Sequence, residues 1–232
     1  MGRVLALLLL LPTVASAEPR VLDRMVATVE AGRGRSGRLL ITLSDLRIEA
    51  RILLVSQGAV GAADGPIPDD TLAATLEWLI AQHLLHAEAE QLGVTQVESS
   101  ILEASVESPR ETLGEGFDSF LQRHELELSD LARILRRQLV VERYLRSRLR
   151  FAASVSEAEV REAYDAAPHG DWAEARPLLR AQLERRRQEQ AVAALVSDLR
   201  SRAEVRILTR LDADEAEEPG VPSPWYLPRG GE

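Results

Sequence analysis

The chain contains no cysteine and no lysine, and its aromatic residues are three Phe, three Trp and three Tyr, 4% of the sequence. Without cysteine there is no disulfide and no lipid anchor on a thiol, so core packing alone must hold the fold together. So few aromatics leave the core to Leu, Val, Ile and Ala, a composition that suits helices. Because lysine is absent, all 28 basic residues are Arg, whose planar guanidinium makes stronger bidentate contacts than an ammonium. They are outnumbered by 37 acidic residues, and the net charge of −9 speaks against nucleic acid as a partner, since phosphate binding is driven by a basic surface.

Long apolar runs are also scarce. Val4 to Leu11 is unbroken, but it is shorter than the roughly 20 residues needed to cross a bilayer. Arg3 precedes it, Pro12 ends it, and Ala15-Ser16-Ala17 follows as a small-x-small cleavage pattern. The expectation is a secretory leader over residues 1–17, cut between Ala17 and Glu18, with no membrane span in the mature chain. The product would be exported into the periplasm.

Beyond the leader, Arg24 to Glu30 and Arg38 to Leu43 read as two strands joined by the Gly-rich turn Ala31 to Gly37. A helix should follow at once, with Ser44 as its N-cap and Leu43 stapled to Ile48, and should stop at a loop from Gly58 to Pro68. Asp69 or Asp70 is placed to cap the next helix, whose apolar positions Leu72, Leu76, Leu79, Ile80, His83 and Ala87 recur at helical spacing until Gly93. Thr95-x-x-Glu98 has the form of a capping box for a short helix that Pro109 would close. Phe117 to Leu121 fits another, and Ser129 should cap a long one through Leu149. Ser156-x-x-Glu159, flanked by Val155 and Val160, is a capping box with its hydrophobic staple.

From Trp172 to about Arg202 the pattern is helical, and Pro177 is best accommodated if the main helix begins there. Its middle, Glu184 to Gln190, lacks any aliphatic residue, so it either bridges something or is exposed all round. Ala203 to Thr209 alternates like a strand and can complete the sheet. The expected fold is therefore mainly α with a small antiparallel sheet, made of the N-terminal hairpin and a C-terminal strand, over residues 18–211. Residues 212–232, acidic and then Pro-rich, lack periodicity and read as a disordered tail carrying Trp225-Tyr226.

No catalytic constellation emerges. His83, His86 and Glu90 lie one turn apart, but a core-edge His83 and a surface His86 explain them without a metal. No acid–base pair and no Ser/His/Asp arrangement can be nominated, and the Gly32 to Gly37 turn lacks the Lys-Ser/Thr ending of a phosphate loop. Arg185-Arg186-Arg187 reads as a solvated helix face, or else as a contact to an acidic partner. Catalytic residues, metal ligands and cofactors are expected to be absent, and the residues of any peptide groove are not legible.

The order of these segments resembles the N-terminal module of SurA-type periplasmic chaperones, which are related to the peptide-binding part of trigger factor. Met25 to Val29, Leu39 to Asp45 and Leu76 to Val94 carry the resemblance, and Leu135 to Tyr144 followed by Val155 to Tyr164 carries it most specifically. In that family a parvulin-type prolyl-isomerase domain comes next, and the chain then resumes with a helix and strand similar to Trp172 to Ile207. Here only Ala166 to Asp171 lies between, and the paired histidines and Gly-Gly-Asp type loop of a parvulin are missing; His169 stands alone. The resemblance implies an ATP-independent chaperone that holds unfolded outer-membrane or exported polypeptides and has no isomerase activity. An adaptor or structural subunit of a cell-envelope complex, built on the same frame, is the second reading. The tail's Trp225-Tyr226 could then serve as a placeholder in the chaperone's groove.

Overall fold

The computed structural model describes residues 23–31, 38–150, 152, 154–166, 170–209 and 211. The leader with Ala17 and Glu18, the Gly-rich turn, His169 with its two preceding residues, and the tail with Trp225-Tyr226 lie outside the described residues.

Strand β1 (Met25–Glu30) is central in the sheet, with β2 (Arg38–Thr42) on one side and β3 (Glu204–Ile207) on the other, both antiparallel to it. Val29 stands opposite Leu39 and Val205, and all three pack into the core, whereas Thr28 stands opposite the exposed Leu40 and Arg206. That alternation is the period of two expected of a sheet covered on one face. The register shifts between Met25 and Ala27, and both Val26 and Ala27 are fully buried there. The hairpin and C-terminal strand thus form the small sheet that the sequence implied.

Helix α1 (Leu43–Ser56) starts directly from β2. Its N-cap is Thr42 rather than Ser44: the Thr42 hydroxyl accepts from the Asp45 N–H at 3.2 Å, and the Asp45 carboxylate accepts from the Thr42 N–H at 3.4 Å. Thr42 already has the extended backbone of a strand, which is also the backbone of a cap. With the cap at Thr42, the residues that flank it as a staple would are Ile41 and Leu46, both buried in the main core, rather than Leu43 and Ile48. Where a plain loop was expected, a short helix α2 (Val60–Asp64) buries Ala63, and Arg51 donates to the carbonyls of Ala63 and Gly65.

Helix α3 (Asp69–Gln91) is the centre of the molecule, with Leu72, Leu76, Leu79, Ile80, Leu84 and Leu85 all buried. Pro68 holds its cap position, and Asp69 and Asp70 fall in the first turn, where a carboxylate still meets the positive end of the helix dipole. Gly93 ends it as expected. At φ +70 it lets the Val94 N–H reach the Ala89 carbonyl at 2.8 Å and its own N–H reach Glu90 at 3.0 Å, a Schellman closure.

Helix α4 (Ser99–Leu113) begins after Glu98, so Thr95 and Glu98 form no capping box. Val94 and Val97 are drawn into the core, and Arg143 holds the Gln96 carbonyl at 2.7 Å, which keeps this stretch extended. Pro109 does not close α4 but sits inside it, and the stop is Gly114 at φ +54. A 3-10 turn at Gly114–Gly116 leads to α5 (Phe117–Arg123), and α6 (Leu128–Arg148) follows. Its cap is Glu127, whose N–H donates to Asp130 at 3.3 Å, while Ser129 only supports that cap through a 3.0 Å bond to the Glu127 carboxylate.

Helix α7 (Glu157–Asp165) opens on the expected Ser156–Glu159 box, with Val155 and Val160 packed together. Helix α8 (Trp172–Arg202) is continuous through Pro177 and is capped by Asp171, so it does not begin at the proline. Sheet, α1, α3, α6 and the end of α8 share the main core; Val155, Val160 and Leu179 form a separate small cluster between α7 and the first half of α8.

Candidate functional site

Two concavities and one buried charge pair stand out among the described residues. The first concavity is an apolar crevice among α1, α4, α5 and α6. Ile52 and Val55 form its floor on α1, Pro109 and Leu113 line it from α4, and Phe117, Phe120 and Leu121 from α5. Leu126 and Leu131 complete it, and most of these side chains are buried, so the crevice is shallow. No polar atom contributes to its accessible wall. The α4, α5 and α6 side chains close over α1 here: Ile52 and Val55 are buried against Phe117, Phe120, Leu126 and Leu131. The Arg110 guanidinium lies 5.0 Å from the centre of the Phe117 ring, a cation–π contact at the rim.

The second concavity, about 380 Å³, lies between α3 and the C-terminal end of α8. Leu84, Ala87, Leu199 and Ala203 give it apolar walls, with Glu88, Gln91 and Arg202 among them. It sits between a long helix and the C-terminal helix, but its lining is mixed. Arg202 is already paired with Asp198.

The charge pair joins α1 to α6. One Arg137 nitrogen, Nη2, donates to both Glu49 oxygens at 2.7 Å, and both side chains are buried. Burial pushes the Glu49 carboxyl up, opposed by the neighbouring Arg137. Arg137 Nε has no partner among the described residues, and the same is true of Gln82 Oε1 on α3. His83 is held well below its ordinary value, first by burial and then by the Arg137 charge. A second polar contact pins α2 to α5: Asp64 accepts from Arg123 and lies 3.0 Å from His124 Nε2, with the His124 ring edge-on to Phe120.

His83 on α3 is largely buried beside the Arg137 and Arg133 charges of α6. His86 Nδ1 is 3.9 Å from Glu90, and no group of three or more His, Asp or Glu side chains is placed to hold a metal ion among the described residues. Arg187 is not merely solvated: it donates to the Ser154 carbonyl and to Glu159, while Arg185 and Arg186 are exposed. The buried pair had a readable signal that the sequence analysis missed. Glu49 follows Leu46 by three residues, and Arg137 lies between Ile134 and Val141, so opposite charges occupy the apolar stripes of two helices. The crevice had no such signal, because apolar residues at helical spacing look the same whether or not a partner covers them.

Fold and site together define a mainly helical protein closed by a three-stranded sheet, with a shallow apolar crevice and no helix among the described residues long and apolar enough to cross a membrane. No family model matches the chain, and no curated protein matches it.

Proposed function

We propose that this chain is an exported, ATP-independent holder of unfolded outer-membrane or other exported polypeptides, built on a SurA-like frame without the isomerase domain. The observation that carries this reading is the apolar crevice among α1, α4, α5 and α6. Aliphatic walls with two Phe rings can re-pack around many apolar side chains, whereas fixed polar groups would demand one partner. The acidic balance of the chain keeps such a holder soluble while apolar surface is open. Support also comes from the way the C-terminal helix and strand return to the N-terminal hairpin, in the order expected of that frame.

The test is suppression of aggregation of several unrelated unfolded outer-membrane proteins at near-stoichiometric chaperone. Suppression across the set, weakened severalfold by Leu121→Arg in the crevice, is the expected result. Binding of a single envelope protein without suppression would identify an adaptor instead. Acceleration of proline-limited refolding at catalytic amounts would contradict the proposal.

A further inference from the structure

The two edges of the sheet end differently. On β2 the Thr42 N–H is taken by the Asp45 carboxylate at 3.4 Å, and the chain turns at once into α1. On β3 the Leu208 N–H donates to the Val26 carbonyl at 2.8 Å, in register with the Thr28–Arg206 and Glu30–Glu204 pairs. In an antiparallel ladder the residues between such pairs turn their backbone groups the other way. The N–H and C=O of Val205 and Ile207 therefore point away from β1, and they have no partner among the described residues. Apolar side chains are uncovered in the same place. Of the eight large apolar residues exposed among the described residues, Met25, Leu40, Ile207 and Leu208 belong to the sheet or directly follow it, whereas the other four lie singly on or beside different helices.

Charged side chains commonly guard an open edge, because they repel a second edge of the same kind. Strand β3 carries charge of both signs instead: Glu204 and Arg206 pair along its outer face, with side chains 50% and 69% exposed. When two β3 strands run antiparallel with Val205 opposite Val205, each Glu204 meets the Arg206 of the other copy, twice over by two-fold symmetry. These are the cross-strand pairs without mutual backbone bonds, where side chains come closest. The four charges then alternate in sign around a square. Glu204 gains most, because its neighbour on β1 is Glu30, a like charge held by Arg38. Centring the strands on Arg206 would set Arg against Arg, and centring them on Ile207 would set Arg206 against Leu208. In the Val205 register the two Val205 residues exchange backbone bonds, and each Ile207 N–H faces the carbonyl of Ala203, whose own N–H is used on Arg200 at 3.3 Å.

We propose that two copies of this chain associate through β3 in the Val205 register, giving one six-stranded antiparallel sheet. A four-residue edge supplies less than the ~800 Å² per partner of a stable interface, so the dimer is weak, with a dissociation constant above about 1 μM. The association does not depend on the holding function proposed above.

Sedimentation velocity of the chain as purified after export, from about 5 to about 500 μM, should show a coefficient rising from monomer towards dimer. Arg206→Glu alone and Glu204→Arg alone should each weaken association about tenfold, since either sets like charges opposite each other twice. Mixing the two single variants should restore a dimer, now of one copy of each, because every cross-strand pair is again of opposite sign. The double exchange Glu204→Arg with Arg206→Glu should restore it too. Both side chains are exposed, so the urea midpoint of each variant should stay unchanged, which separates lost pairing from a lost fold. Monomer throughout the range overturns the proposal, and so does association that the single variants leave intact or that mixing fails to restore. Amide exchange shows what covers the edge: protection of Val205 and Ile207 should grow with concentration. Full protection at the lowest concentration would mean that a segment of the same chain already pairs with β3, and it would also overturn the dimer.

Discussion

Glu49 and Arg137 show what a buried charge pair does in a core built from aliphatic residues. Their mutual attraction offsets desolvation only while both are present, so each is a liability without the other. Glu49→Ala should cost about 3–5 kcal/mol in urea unfolding, because it strands a buried guanidinium whose Nε already lacks a partner. Adding Arg137→Met to Glu49→Leu should recover most of that loss; a double variant as unstable as the single one would remove this account. His83 gives a pH dependence of definite sign. Arg137 and Arg133 face it from α6 and His86 from its own helix, while Glu49 on α1 is taken up by Arg137. Its folded value lies well below 6.5, so the unfolded chain takes the proton first and stability falls as pH drops below about 6.5. Glu49, raised by burial, slopes the other way, its contribution being lost as pH rises through its folded value. His83→Gln should therefore flatten, or invert, the fall in urea midpoint between pH 6.5 and 5, and an unchanged slope would show that His83 is not the group responsible.

At the scale of elements, local sequence was reliable where a cap and its burial agreed. Ser156 and Glu159 form their box with 2.9 Å and 3.3 Å bonds, and the flanking valines pack together, so pattern and packing point to one start. Ser156→Ala should lower the stability of α7 by about 1 kcal/mol, read as faster amide exchange over Glu159 to Tyr164. Thr95 and Glu98 carry the same pattern and fail, because Val94 and Val97 are claimed by the core and hold the backbone extended. Both helical prolines were read as ends, since proline removes a bond and crowds the preceding turn. At Pro109 the burial of the ring and of Phe117 beyond it outweighs that local loss. Pro177 is exposed and only in the second turn of α8, so little packing opposes its removal. Pro177→Ala should restore a donor to the Ala173 carbonyl and slow exchange across Ala173 to Leu183; no change would mean that the helix is already relaxed around the ring.

The whole molecule is organised by α8, whose 31 residues extend over roughly 46 Å. Its C-terminal half, through Val192 and Leu199, belongs to the main core, and its strand β3 completes the sheet. Its N-terminal half, through Leu179, belongs to the small cluster with α7. The apolar positions of both halves were legible in sequence; that they serve two different cores was not, because periodicity says which face is buried and not against what. The polar middle makes sense as the strap between them, with Arg187 tied to Ser154 and Glu159, and with Arg176 and Arg180 on Glu157. Those ion pairs are partly exposed and individually worth little. Three buried residues then stand against a main core of twenty, so α7 and the first half of α8 should open without the rest. Amide exchange over Val160 to Tyr164 and Ala175 to Leu183 should exceed that over Leu79 to Leu85 at the same pH. Arg187→Ala should widen the difference while moving the global urea midpoint by no more than the equivalent of about 0.5 kcal/mol. Exchange of both regions in one cooperative step, with Arg187→Ala lowering the global midpoint, would mean that α8 welds the two clusters into one unit instead of bridging them.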